Sequence, residues 1–382
     1  MLKSLKNIWS KIPYHLKYAF GLFAVSRIAL LFVGCMSYVF LMRESHSIQK
    51  GFFLNVPHLK IWQVWDSFQY LGIAENGYAF AKPFDPHYYS NVGFFPLYPM
   101  LMRLVDLLTQ NLPLAGIMLA IICLFVAAHY LYKLVLLHAD EKTALRSILF
   151  LFVFPTSFIL SSVYAESLFL CLSLMSIYYA KKGKWLWAGL FGAFLVLTKI
   201  FGLLILIPLG LIYLSDREFN IRKIKADILW LLLIPLSLGG LLLFYYKLTG
   251  DALAYFHIQS NAWGHIGGNP FIVLYKVIIG ADIHQYINAI FVVFFLLVLC
   301  IVLLWKKELR IYTLYGICLL LFTPYTGTAI GSIRYMTFNF PLFIGLSTLT
   351  EKESFKDAAI IGFGIIQGCL MLFWTASFAF MA

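Results

Sequence analysis

Four ionisable side chains carry the chemical promise of this sequence: Asp66, Glu166, Lys199 and Arg334. Asp66 follows Trp65 at the centre of a polar and aromatic insert, Arg43 to Gly93, which separates two strongly apolar segments and closes on Phe94-Phe95-Pro96-Leu97-Tyr98-Pro99. A carboxylate there, flanked by an aromatic ring, suits a general base at the membrane surface. Glu166, Lys199 and Arg334 interrupt apolar stretches, and ionisable groups at membrane depth are costly enough to be functional candidates by default. Two cations and two carboxylates at one membrane face suit an anionic, lipid-borne substrate. Arg334 grips phosphate oxygens bidentately and is the first choice for that contact, with Lys199 second. In the plainer reading Glu166 and Lys199 only pair to hold helices together.

The elements that must position these groups are membrane helices. Hydrophobic residues make up 62% of the 382-residue chain and charged residues 12%, with a mean hydropathy of +0.86, far from the soluble range. Apolar stretches near the span length of ~20 residues recur throughout, and in hydrocarbon they must be helical. The spans are placed at 18–42, 113–137, 147–162, 164–180, 185–198, 200–214, 228–248, 286–305, 311–323, 335–349 and 358–380. Basic clusters at 3–17, 133–146, 181–184, 217–225, 306–310 and 352–356 all fall on one side if the N-terminus is cytoplasmic. The expected architecture is an all-α polytopic membrane protein of about eleven spans, one domain over 1–382. Its first extracytoplasmic loop, 43–112, carries Asp66 and short interfacial helices, among them 94–109. Several spans are short and paired, broken on the outer face at Ser161 to Glu166, Thr198-Lys199 and Thr323 to Arg334. Such breaks are tolerated where they line a cavity or lie buried in protein.

Plainer readings stand beside these. Asp66 would N-cap a helix that stops at Asn76-Gly77. Arg27, inside the first span, has a structural pairing as its first reading and a lipid phosphate as its second. Asp66, Glu75, Asp85 and His87 share a loop, but their spacing matches no metal motif, so no metal or other cofactor is expected; His87-Tyr88-Tyr89 reads as loop packing or acceptor contact. All six cysteines sit in apolar spans and read as packing residues. The net charge of +12 reflects topology and attraction to anionic headgroups, and asks for no nucleic acid. A lipid-linked-sugar transporter is the rival class; it would show matching interruptions in two related halves, and the large loop occurs once.

Ordered segments of the chain resemble the GPI mannosyltransferase II (PIG-V-like) family. They are Trp65-Asp66 with Gly77-Tyr78; Phe94 to Pro99; Phe154-Pro155-Thr156-Ser157-Phe158 running to Tyr164-Ala165-Glu166-Ser167-Leu168-Phe169; Leu197-Thr198-Lys199 with Gly202-Leu203; Gly250 to His257 with Trp263; and Arg334-Tyr335 leading to Phe340-Pro341. The family often has Arg where this chain has Lys199, and Ser or Thr where it has Ala165. The resemblance implies a GT-C type fold and an Asp in the first outer loop as the catalytic residue, which maps onto Asp66. It further implies an inverting glycosyltransferase that uses a polyprenyl-phosphate sugar, mannose or another hexose or pentose. In that reaction Glu166 would orient Lys199 or hydrogen-bond the sugar, and Trp65, Tyr164, His257 and Trp263 would shape the sugar pocket. The acceptor would be a glycolipid, an envelope polymer or a protein. With no Asn-x-Ser/Thr acceptor in the sequence, the expected location is a bacterial inner membrane, with the active site facing the exterior.

Overall fold

Residues 9–41, 60–78, 91–280, 283–378 and 381 are described by the structure, a computed structural model. Among them every regular element is helical and no strand occurs. The order begins with α1 (Tyr14–Leu41), a 3₁₀ turn at Lys60–Trp62, α2 (Ser67–Asn76), α3 (Leu97–Thr109), α4 (Leu112–Val135) and α5 (Glu141–Val153). A 3₁₀ turn at Ser157–Ser161 leads to α6 (Glu166–Lys181), α7 (Trp185–Val196), a second 3₁₀ turn at Ile200–Ile205 and α8 (Leu206–Ser215). Then come α9 (Leu233–Thr249), α10 (Ala254–Trp263), α11 (Pro270–Gly280), α12 (Ile283–Trp305) and α13 (Arg310–Tyr325). Short α14 (Ser332–Tyr335), α15 (Phe340–Leu349) and α16 (Glu353–Thr375) complete the bundle.

Local chemistry sets several of these boundaries. The Asn111 side chain accepts from Leu114 N at 3.0 Å to start α4, and Asp140 Oδ1 accepts from Thr143 N at 2.9 Å to start α5. Pro155, just past the end of α5, has no N–H to continue the helix. Five helical segments, Tyr14–Phe40, Leu112–Val135, Ala226–Thr249, Ile283–Trp305 and Glu353–Thr375, are long and apolar enough to cross a membrane. Five of the other six expected spans overlap shorter helices. Outward residues of the five long segments form a lipid-type surface: Val25 is 73% exposed, Leu236 67% and Leu304 72%. α3 buries Tyr98 and Met102 and exposes Leu104, Leu107 and Leu108, the apolar outward face that an interfacial helix requires.

The stretch 249–285, where no span is expected, holds α10 and α11; at ten and eleven residues neither reaches span length. One expectation needs correction. The span expected at 147–162 breaks after Val153, so that Ser157 and Ser161 turn inward to meet Arg27. Residues 43–59, Asp85 and His87-Tyr88-Tyr89 lie outside the described residues.

The bundle has two distinct ends. At one, Lys142 pairs with Glu353 at 3.1 Å, Lys306 with Glu351 at 3.0 Å, and Arg146 donates to the carbonyls of Thr350 and Glu351. α6 runs from Glu166 to Lys181, a rise of about 23 Å, and so carries Glu166 to the end opposite that basic rim. Arg27 serves the core between them. Its Nε donates to Ser161 Oγ at 2.8 Å and its Nη2 to Ser157 O at 2.7 Å, joining α1 to the broken helix before α6. This is the structural pairing, with no free face for a lipid phosphate. Replacing Arg27 with Leu leaves those acceptors short of a donor, a loss of about 1–3 kcal/mol, and thermal unfolding in detergent would register it as a clearly lower midpoint. An unchanged midpoint would show that the contact is dispensable.

Candidate active site

The segment bearing Asp66 is fastened to the bundle by its backbone. Ile61 O accepts from Trp374 Nε1 at 2.9 Å, and Trp62 O from Val163 N at 3.0 Å. Tyr164, fully buried, then straddles the next turn: its hydroxyl donates to Val64 O at 2.8 Å and accepts from Asp66 N at 3.1 Å. Between those two points Trp65 adopts φ +55°, a left-handed conformation that costs a side-chain-bearing residue about 1–3 kcal/mol. Asp66 occupies the N-cap position of α2, yet its side chain makes no capping bond; the helix does stop at Gly77 as expected. The carboxylate turns instead to Arg334, with Oδ2 2.6 Å from Nη1. Capping, the plainer reading of this aspartate, is therefore not what its side chain does.

Arg334, 5% exposed, comes from the short helix α14 in the break between α13 and α15. Its Nε lies 3.4 Å from Glu166 Oε1, and its Nη2 donates to Tyr335 Oη at 2.8 Å. The guanidinium also lies 5.3 Å from the ring centre of Tyr164 and 4.8 Å from that of Tyr335, where aromatic faces favour a cation. Glu166 is completely buried at the first turn of α6, a position that favours negative charge. The same Oε1 meets Lys199 Nζ at 3.1 Å, while Oε2 has no hydrogen-bond partner among the described residues. Lys199 is extended (φ −159°, ψ 150°), because the chain breaks there between α7 and the following 3₁₀ turn. Three helix interruptions thus deliver one charge each, and the loop delivers the fourth.

Over these charges opens a cavity of about 170 Å³. Asp66, Lys199 and Arg334 line it on one side, with Tyr335, Phe201 and Phe322. Tyr70, Phe94 and Phe95 from the loop region and Tyr255, Gln259, Trp263 and His265 from α10 and its continuation complete the wall. Among the expected pocket residues Trp263 lines this space, whereas Tyr164 and Glu166 sit beneath it and Trp65 is only half-buried beside it. His257 does not line it. It pairs with Asp251 at 2.6 Å with 61% of its side chain exposed, because the inner face of α10 is the four-residue series Tyr255, Gln259, Trp263. Gln259 and His265 were missed; the four-residue spacing from Tyr255 points to Gln259, but His265 lies past the end of α10 and no spacing marks it. Among the described residues no three His, Cys, Asp or Glu side chains gather as metal ligands.

The model of the mannosyltransferase (PIG-V) family matches residues 23–260, more than half of the chain. The chain belongs to this family. The match takes in Asp66, Glu166 and Lys199, while Arg334 and His265 lie beyond it. No curated protein sequence matches this family member. Among solved structures it is similar to the oligosaccharyltransferase of Archaeoglobus fulgidus in complex with zinc and sulfate, at 14% identity and a TM-score of 0.44 over 92% of this chain and 53% of that one. The apo form of the same protein gives 13% and 0.43 over 97% and 57%. The chain spans about half the length of those structures.

The charge cluster predicts its own energetics. Glu166→Ala leaves Arg334 and Lys199 facing a single carboxylate and should cost about 3–5 kcal/mol. Adding Lys199→Met should recover part of that loss, because a buried, uncompensated cation has gone. Denaturant unfolding of both variants in detergent measures the coupling; strictly additive effects would show that the two side chains do not act as a pair.

Proposed function

We propose that this chain is an inverting glycosyltransferase that moves a single sugar from a polyprenyl-phosphate donor to an acceptor hydroxyl. The observation that carries the reading is Arg334 shared between Asp66 and Glu166 at one wall of a sugar-sized cavity. About 170 Å³ corresponds to roughly five or six waters, the bulk of one sugar ring. The isoprenoid tail lies among the helices, and the phosphate approaches Arg334 and Lys199. Arg334 exchanges Asp66 for phosphate oxygens, a charge-assisted contact it can make bidentately. That exchange releases the Asp66 carboxylate as proton acceptor. The acceptor hydroxyl then attacks the anomeric carbon from the face opposite the phosphate. The new C–O bond forms as the bond to phosphate breaks, the hydroxyl proton passes to Asp66, and polyprenyl phosphate leaves with the electron pair.

Each group has a physical task in that sequence. Charge grows on the phosphate in the transition state, so fixed cations stabilise it more than the ground state. Glu166, buried beneath, keeps both cations aimed, and the bound geometry itself contributes by holding the reactants in register. Mannose is the sugar the family name supports best, with other hexoses or pentoses as alternatives; a glycolipid, an envelope polymer or a protein supplies the hydroxyl. The basic rim opposite the cavity supports a cytoplasmic N-terminus and an exterior-facing site in an inner membrane.

The reading is tested on purified protein with polyprenyl-phosphate mannose. Asp66→Asn should lower transfer by about 10²–10⁴ while tightening donor binding, because Arg334 no longer has a carboxylate to leave. Arg334→Ala should lose donor binding and transfer together. Transfer at the normal rate by Asp66→Asn would end the general-base assignment. Mass spectrometry of envelope glycans with and without the gene should show one missing hexose or pentose, naming sugar and acceptor at once.

A further inference from the structure

The turn that follows α10 brings to the cavity wall a histidine whose protonation is dictated by its neighbours. Trp263 lies directly on Gly93, where a Cβ would come within 2.7 Å of the indole ring, so the close approach depends on glycine. Gly264 ends α10 at φ +67°, a left-handed cap that turns the chain back. His265 N then donates to Gln259 O at 3.0 Å, and the loop is tied to the end of α13 through Gly267 N to Thr326 O and Gly268 N to Tyr325 O. His265 Nδ1 lies 2.6 Å from Gln259 Oε1, and Gln259 Nε2 donates to Gly93 O at 3.4 Å.

These contacts assign the ring. Gly93 O can only accept, so the amide nitrogen of Gln259 faces it and the amide oxygen faces the imidazole. That oxygen can only accept as well, so the proton sits on Nδ1 and leaves Nε2 bare. Burial lowers the pKa of His265 from 6.5, which keeps the ring neutral at neutral pH. Nε2 makes no hydrogen bond to any described residue, and the ring lines the cavity. A neutral nitrogen with a lone pair and no proton recognises a hydroxyl; it has nothing to offer a phosphate or a carboxylate. Lys199 and Arg334 are the cations of the same cavity. Beside the imidazole, Trp263 lines the same cavity.

We infer that His265 Nε2 accepts a hydrogen bond from a hydroxyl of the sugar being transferred, and that this contact selects which sugar the site takes. Gln259 is the positioning residue, since it holds the tautomer. The inference rests on the glycosyltransferase reading and deepens it. Its consequence is discrimination: a site built to bind a hydroxyl rejects the analogue lacking it.

The test uses the full-length protein in detergent with three probes: short-chain polyprenyl phosphate, its mannosyl derivative and the singly deoxygenated mannosyl derivatives. His265→Ala should weaken binding of the mannosyl lipid by about 2–10-fold, the worth of one neutral hydrogen bond, with binding of the bare lipid phosphate unchanged. One deoxy derivative should bind the wild type worse than the mannosyl lipid, and bind His265→Ala no worse than it. Gln259→Leu should show the same pattern at smaller amplitude. Equal losses for bare and mannosylated lipid would mean a merely structural histidine and overturn the inference. So would unchanged donor binding with a raised KM for the acceptor, which would move the contact to the acceptor hydroxyl. If the wild type binds neither lipid, the glycosyltransferase reading itself falls and takes this inference with it.

Discussion

Arg334 touches Asp66 at 2.6 Å and Glu166 at 3.4 Å, and through Glu166 it is linked to Lys199. Taking such charges out of water costs several kcal/mol per ion, and the arrangement persists because the two cations and two carboxylates compensate one another. The partners come from distant parts of the chain: a loop after α1, the first turn of α6, the break after α7 and the insert between α13 and α15. None of these segments would hold its charge at that depth alone. The breaks in the helices are what bring the four charges to one place.

The same balance explains the irregular backbone around it. A continuous α6 or α7 would carry Glu166 or Lys199 into a regular helical face with no opposite charge to meet. Extended Lys199 and the left-handed Trp65 instead point their neighbours at one place. Buried Tyr164 holds that geometry by satisfying two backbone groups on either side of Trp65. Strain of this kind survives only where surrounding contacts over-determine it, and here the surroundings supply fixed hydrogen bonds at Ile61, Trp62, Val64 and Asp66. An arginine held by two carboxylates is also a switchable partner, since a third anion can displace one of them without leaving the guanidinium bare.

Much of this was legible in the residues. Apolar stretches marked the helices, lysine and arginine clusters marked one end of the bundle, and polar interruptions marked the candidate charges, because each of these signals is local. Asp66 was legible as a candidate and equally as a cap; only its contact with Arg334, 268 positions away in sequence, separates the two. His257 looked like a pocket residue because it stands in a recognisable segment, and His265 was passed over because it follows a helix end. The face of α10 turns His257 away from the cavity, and the reversal at Gly264 with the bonds to Gln259 brings His265 to it; both acquire meaning only once the partner surface exists.

Sequence by itself determined that this chain is helical and membrane-type, that its helices break at three polar points, and which ionisable residues those points contain. Hydrophobicity and turn chemistry act over a few residues and need no knowledge of the rest of the chain. Tertiary structure alone decided that Arg334 is shared, that Asp66 turns away from its own helix, and that Gln259 holds His265 with a bare nitrogen in the cavity. Those outcomes depend on distances between side chains far apart in sequence, where electrostatic and hydrogen-bond energies change sharply over an ångström.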